Sequence, residues 1–167
     1  MALSKIQAES MNLADTYAFT GTVSGAGGVN TPAFKAQVTS NLGPFTGNAW
    51  TDISFGTELF DTANAFDGTT FTVPETGKYY FATFVRLDDV SSSNMYYQLD
   101  ISGASQTTRF TLAGVGFDTT VPFLTMGYSA ILSQNQNDQI KVRLFQSSTV
   151  SSYIKPESWF CGFKIIE

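Results

Sequence analysis

The chain has one cysteine and no histidine, which removes the side chains that most often carry protons or nucleophilic electrons near neutral pH. Cys161 has no histidine to activate it and no second cysteine with which to share a metal, so it reads as a small buried residue. Carboxylates are the remaining candidates for chemistry. Asp61, Asp67, Asp88, Asp89 and Asp118 could in principle gather around calcium, which takes oxygen ligands, but no Asp-x-Asp-x-Asp spacing is present. A glycosidase needs only two carboxylates, yet no catalytic motif accompanies any pair here, and solvated loop carboxylates are the plainer reading. No catalytic residue, metal or cofactor is expected.

Recognition chemistry is better represented. Tyr153, Ile154 and Lys155 set an aromatic and an aliphatic side chain beside a cation within a run of Ser and Thr. An aromatic next to a charge in a polar loop is a frequent contact residue. Asp88, Asp89 and Phe117 occupy two other polar stretches and join the same candidate set. A competing reading tucks Tyr153 and Ile154 back onto the domain or onto a neighbouring subunit.

These residues have to be held by strands. Hydrophobic residues make up 43% of the chain and aromatics 14%, but charged residues only 14%, against about 25% in ordinary soluble proteins. Solubility must therefore come from Ser, Thr, Asn and Gln. Nine Lys and Arg face fourteen Asp and Glu, for a net charge of −5 without a basic run, so a nucleic acid partner is excluded. No apolar run approaches the ~20 residues of a membrane span, and no signal peptide is recognisable, which favours cytoplasmic synthesis followed by assembly into a larger particle. A chain of 167 residues suits one domain with a short appendage.

Period-two apolar alternation predicts strands over residues 33–38, 50–55, 69–73, 78–87, 95–101, 107–112, 121–132, 139–145 and 159–166. Residues 41–44, 67–68, 74–77, 88–94 and 133–138 carry turn residues and read as connectors. Pro74 ends one strand, and Gly77 is expected to turn the chain with a positive φ before the next strand buries alternate aromatics. Only residues 3–14 have helix-like spacing, and they are too short to stand alone. The glycine-rich stretch 24–28 divides an arm, residues 1–28, from a domain, residues 29–167. An all-β antiparallel sandwich follows.

Phe55, Asp61, Phe66, Phe71, Gly77, Tyr79 and Phe81, with Trp159, Gly162, Phe163 and Ile165 at the end of the chain, resemble the signature of the complement-q globular domain, a family of tumour-necrosis-factor-like jelly rolls. Two departures are a short interval between Phe66 and Phe71, and Thr83 where a further aromatic is usual, with Phe84 beside it. The resemblance implies a jelly roll of about ten strands that assembles as a homotrimer to bind ligands. It makes Phe55, Phe66, Phe71, Gly77, Tyr79, Phe81, Gly162 and Phe163 markers of the fold, with the aromatics in the core. Residues 4–23 separately resemble the opening of structural proteins of marine bacteriophages. That resemblance implies a virion protein whose arm docks onto other virion proteins.

Two readings follow: a tail-fibre or spike module that binds a glycan or protein on the host surface, or a trimeric capsid or tail decoration protein with no receptor role. An enzyme or a secreted signalling ligand is disfavoured. Counting back from the closing strand puts residues 88–94, 114–120 and 146–158 at the end opposite the termini, where the receptor-binding candidates would face outward.

Overall fold

A computed structural model describes residues 31–45, 47–90, 96–113, 121–147 and 151–165. The expected arm, residues 1–28, together with Phe117 and Asp118, lies outside the described residues. Among those described, every regular element is a strand: β1 (Ala33–Gln37), β2 (Leu42–Phe45), β3 (Thr51–Asp52), β4 (Thr57–Asp61), β5 (Thr70–Thr72), β6 (Gly77–Val90), β7 (Tyr96–Ser102), β8 (Thr107–Ala113), β9 (Val121–Gln134), β10 (Gln139–Gln146), β11 (Ser152–Ile154) and β12 (Trp159–Lys164). Antiparallel pairing builds two sheets. One has seven strands in the order β2-β11-β6-β12-β1-β4, with β9 also on β6; the other has five in the order β3-β10-β7-β8, with β5 on β10. Among the described residues no helix is long and apolar enough to cross a membrane.

The longest strands show how the sequence chooses the inside. Along β6, Tyr79, Phe81, Thr83, Val85 and Leu87 are buried, while Tyr80, Phe84, Arg86 and Asp88 alternate onto the other face. The expected aromatics Phe55, Phe66, Phe71, Tyr79 and Phe81 are all in the core. Phe34 stacks on Phe66 and Phe71 at 5.0 and 4.5 Å, and Phe160 packs on Phe34 and Phe81 at 5.0 and 6.0 Å, which ties residues from both ends of the domain into one cluster. Buried hydroxyls find partners: Tyr79 donates to the Glu75 carbonyl at 2.7 Å, and burial pushes its phenol up to about 12. Thr83 donates to the Trp159 carbonyl at 3.0 Å, so a hydroxyl at this aromatic position is satisfied. Tyr128 crosses from β9 to the other sheet, where its hydroxyl accepts from Ile101 N–H and donates to the Thr108 carbonyl.

Several expectations need correction. Phe163 is not a core residue: β12 turns Phe160 and Gly162 inward and Cys161 and Phe163 outward, so Phe163 sits 5.1 Å from Tyr80 on the outer face. Cys161 is accordingly only partly buried, although what burial it has raises its thiol above the ordinary value. Gly77 does not have a positive φ, unlike Gly43, Gly56 and Gly68. The missing side chain instead leaves room for Lys164, since a Cβ there would lie 2.6 Å from Lys164 Cε. Residues 42–45 are a strand rather than a connector, and residues 57–61 form a strand at the sheet edge. The polar segment 146–158 is not a free loop either. Buried Gln146 donates to the Phe45 carbonyl at 2.8 Å and accepts from Ser152 Oγ, which draws β11 between β2 and β6.

Gly162 carries the tightest approach in the core: a Cβ there would lie 2.5 Å from Phe81 Cδ1 and 3.0 Å from Phe34 Cε1. Gly162→Ala should therefore lower unfolding stability by about 1–3 kcal/mol, the usual cost of overpacking. A urea titration checks this, and an unchanged midpoint would mean the cluster can relax.

Candidate functional site

At the end of the sandwich opposite Ala33 and Lys164, the ladder brings together residues that the sequence had placed in separate loops. Tyr153 pairs with Asp88, and Lys155 N–H donates to the Arg86 carbonyl at 3.0 Å. Lys155 Nζ lies 3.3 Å from Asp88 Oδ2, and Arg86 bridges Asp88 at 3.4 Å and Glu157 at 2.8 Å. The Glu157 hydrogen bond raises the Arg86 guanidinium further above its ordinary value. Phe123 covers this network, with the Arg86 Cζ 5.4 Å from its ring. Charges so arranged largely neutralise one another, and exposed pairs of this kind contribute little to stability.

Ile154 leaves the candidate set. It is fully buried in the core cluster, because it occupies an inward position of β11, so no outside partner can touch it. Tyr153 and Lys155 are partly buried and Asp89 is exposed. The carboxylates proposed for calcium have separate tasks: Asp61 accepts the N–H groups of Ala63, Ala65 and Phe66, and Asp67 accepts those of Thr69 and Thr70. Those amides hold the Asp67 carboxyl below its ordinary value. Among the described residues no group of three or more Cys, Asp or Glu could hold a metal ion.

The two outer faces of the sandwich differ sharply in chemistry. The seven-stranded sheet turns out an apolar surface. Phe163, Tyr80 and Ile131 share one row across β12, β6 and β9, and Trp159, Phe84 and Gly127 share another. Phe84 stacks on Trp159 at 6.3 Å, and an open groove of about 430 Å³ runs between Tyr80, Phe84, Trp159 and Gly127. Ile131 is 60% exposed, Phe123 56%, Leu59 50% and Phe60 49%, which is unusual for side chains so large on a single copy.

The five-stranded sheet instead turns out a charged row that sequence reasoning missed. Asp52, Arg143, Asp100 and Arg109 stand opposite one another across β3, β10, β7 and β8. Asp100 is fully buried and accepts from Arg109 Nε at 2.7 Å, Arg109 Nη2 at 3.0 Å and Arg143 Nη2 at 3.0 Å. Trp50 reaches over the row, 4.5 Å from the Arg109 guanidinium and 5.1 Å from that of Arg143. Phe145 packs on Trp50 at 5.5 Å and stacks on Tyr96 at 5.7 Å. The only sequence signal for this row was a charge at outward positions of alternating strands. Their adjacency depends on a strand order that the chain order hides.

No family model matches this sequence, and no curated protein matches it. Solved structures do resemble it. The globular domain of zebrafish complement 1qA protein shares 19% identity over 81% of this chain and 98% of its own, with a TM-score of 0.58. Murine APRIL shares 11% identity over 80% and 98%, with a TM-score of 0.55. The Eiger TNF of S. frugiperda shares 15% identity over 81% and 92%, with a TM-score of 0.56. At this level of identity the likeness establishes the fold, a jelly-roll sandwich of the complement-q and tumour-necrosis-factor type.

Asp100→Asn should cost about 1–3 kcal/mol, because two guanidiniums then lose their charged acceptor. Lys141→Ala should cost under about 0.5 kcal/mol, since its 2.9 Å pair with Asp52 is exposed on both sides. Paired thermal and urea unfolding of the two variants checks the ranking, and equal losses would contradict it.

Proposed function

We propose that this chain is a homotrimeric recognition module of a bacteriophage particle, a tail-fibre or spike component that docks through residues 1–28 and binds a host-surface glycan or protein. The observation that carries the reading is the apolar outer face of the seven-stranded sheet. Phe60 and Ile131 are each about half exposed or more on one copy, and contiguous apolar patches of several hundred Å² mark interfaces. With only 14% charged residues and one cysteine, the chain has neither a charged coat nor a disulfide to offset that exposure. Three copies that turn this face toward a common axis remove it from water, and three is the number that the resembled family implies. Cys161 then lies inside the interface with Phe163 and Trp159.

In this arrangement Ala33 and Lys164 share one end, and Asp89, Tyr153 and Lys155 stand at the other. The free end is the proposed contact with the host, and Phe117 is proposed to belong there too. The phage setting rests on the resemblance of residues 4–23, and the virion is the proposed location. No catalytic step is assigned.

Light scattering coupled to size exclusion should give three times the mass of one chain. The double variant Phe60→Lys with Ile131→Lys should give single chains that keep the β-sheet circular dichroism. Soluble wild-type protein should bind host cells and compete with phage adsorption. A monodisperse monomer at micromolar concentration would reject the assembly. A trimer that binds no host cells and leaves adsorption unchanged would favour the decoration role.

A further inference from the structure

The charged row of the five-stranded sheet is roofed by an aromatic ring. Trp50 starts from the β3 edge, yet its ring approaches Arg143 on β10 and then Arg109 on β8, two strands further across the sheet. The Arg109 side chain reaches back across the sheet to Asp100, and both guanidiniums and the Phe145 ring hold the indole in one place. Trp50 remains partly exposed, so part of the indole meets solvent. A flat, rigid, partly wet indole is a platform for an apolar ring face. The axial C–H face of a pyranose is such a face.

The charges beside the platform select among sugars. Arg109, Lys141 and Arg143 share this surface with Asp52 and Asp100, and Asp67 also acts on Lys141, so three cations meet three carboxylates and the selective group is the fork edge that no carboxylate takes. Asp100 takes the side edge of the Arg109 fork, Nε with Nη2. The end edge, Nη1 with the second proton of Nη2, is left for another acceptor, and the Arg109 side chain is 46% exposed. A guanidinium fork matches a carboxylate with two parallel hydrogen bonds. Because Asp100 already holds Arg109 in place, little further ordering is needed when a ligand binds. Gln98 with Thr111 at 3.2 Å and Ser102 with Thr107 at 3.4 Å flank the row with amides and hydroxyls suited to sugar hydroxyls.

We infer that this face is a separate binding site for a saccharide that carries a carboxylate, with its ring stacked on Trp50 and its carboxylate in the end edge of Arg109. The site is independent of the free end and of the apolar sheet, and it is complete within one copy of the chain.

The test is titration of the full chain with hexagalacturonate, with an oligosialic acid of similar length and with neutral maltohexaose, followed by calorimetry and tryptophan fluorescence. At least one acidic oligosaccharide should bind, and maltohexaose should bind at least about tenfold more weakly, a difference of about 1.4 kcal/mol. Arg109→Lys keeps the charge but removes the fork, and Trp50→Ala removes the platform. Each should weaken acidic-sugar binding by at least about tenfold in protein that keeps its oligomeric mass and stays folded at the titration temperature, with the melting temperature lowered because buried Asp100 loses part of its cover. If Trp50→Ala does not fold, Arg109→Lys and Trp50→Phe carry the test. Binding of neither acidic oligosaccharide at millimolar concentration overturns the inference, as does affinity that is the same for wild type and Arg109→Lys. In either case the row is a cross-strand structural ladder alone. Host-cell binding that survives in Trp50→Ala and Arg109→Lys would leave the proposed attachment role intact while removing this face from it.

Discussion

Phe34, Phe66, Phe71, Phe81 and Phe160 meet between the two sheets at ring separations of 4.5 to 6.2 Å, and everything on the outside of the molecule depends on that contact. A strand alternates its side chains with period two, so burying Phe81 commits Tyr80 to the outer face, and burying Phe160 commits Cys161 and Phe163 to it. Gly162 enforces the choice, because a shift by one residue would drive a side chain into Phe81 and Phe34. The inner cluster therefore decides which residues are available for partners, though none of its members touches one.

The outer faces that result are unlike each other in a way that separates two tasks. Aromatics on the seven-stranded sheet pack in pairs, Tyr80 with Phe163 and Phe84 with Trp159, and leave a groove lined by Gly127. Such a surface suits burial against another copy, where shape and apolar area matter more than charge. On the five-stranded sheet, alternating charges neutralise one another in register, and Asp100 is buried with two guanidiniums as its partners. That surface stays soluble without being inert, since a fixed guanidinium beside an aromatic is also what polar ligands recognise.

Much of the inside was legible in the sequence, because spaced aromatics in period-two strands point at a core whatever their partners are. Phe55, Phe66, Phe71, Tyr79 and Phe81 lie where that spacing puts them. Short elements were harder. Strands β2 and β11 contain Gly, Pro and Ser, which read locally as turns, and they form because Gln146, Phe45 and Ser152 join across residues far apart in the chain. Phe163 and Ile154 lie on the opposite sides from those expected, each for its own reason. The three-residue β11 has no internal phase, so its inward positions are set by β6, while in β12 burial of Phe160 and Gly162 turns Phe163 outward. The row through Asp100 was invisible for want of a strand order, which single-chain periodicity does not contain.

Each outer face carries one of the two tryptophans of the chain, Trp159 on the apolar sheet and Trp50 on the charged one. Acrylamide is neutral, so its quenching of single-tryptophan variants, Trp50→Phe and Trp159→Phe, reports access to each face without bias from charge. If the apolar sheet is the one that copies bury, Trp159 fluorescence is shielded at micromolar protein and Trp50 fluorescence is readily quenched. Equal quenching of both, or a shielded Trp50 with an accessible Trp159, would contradict the assignment of the two faces.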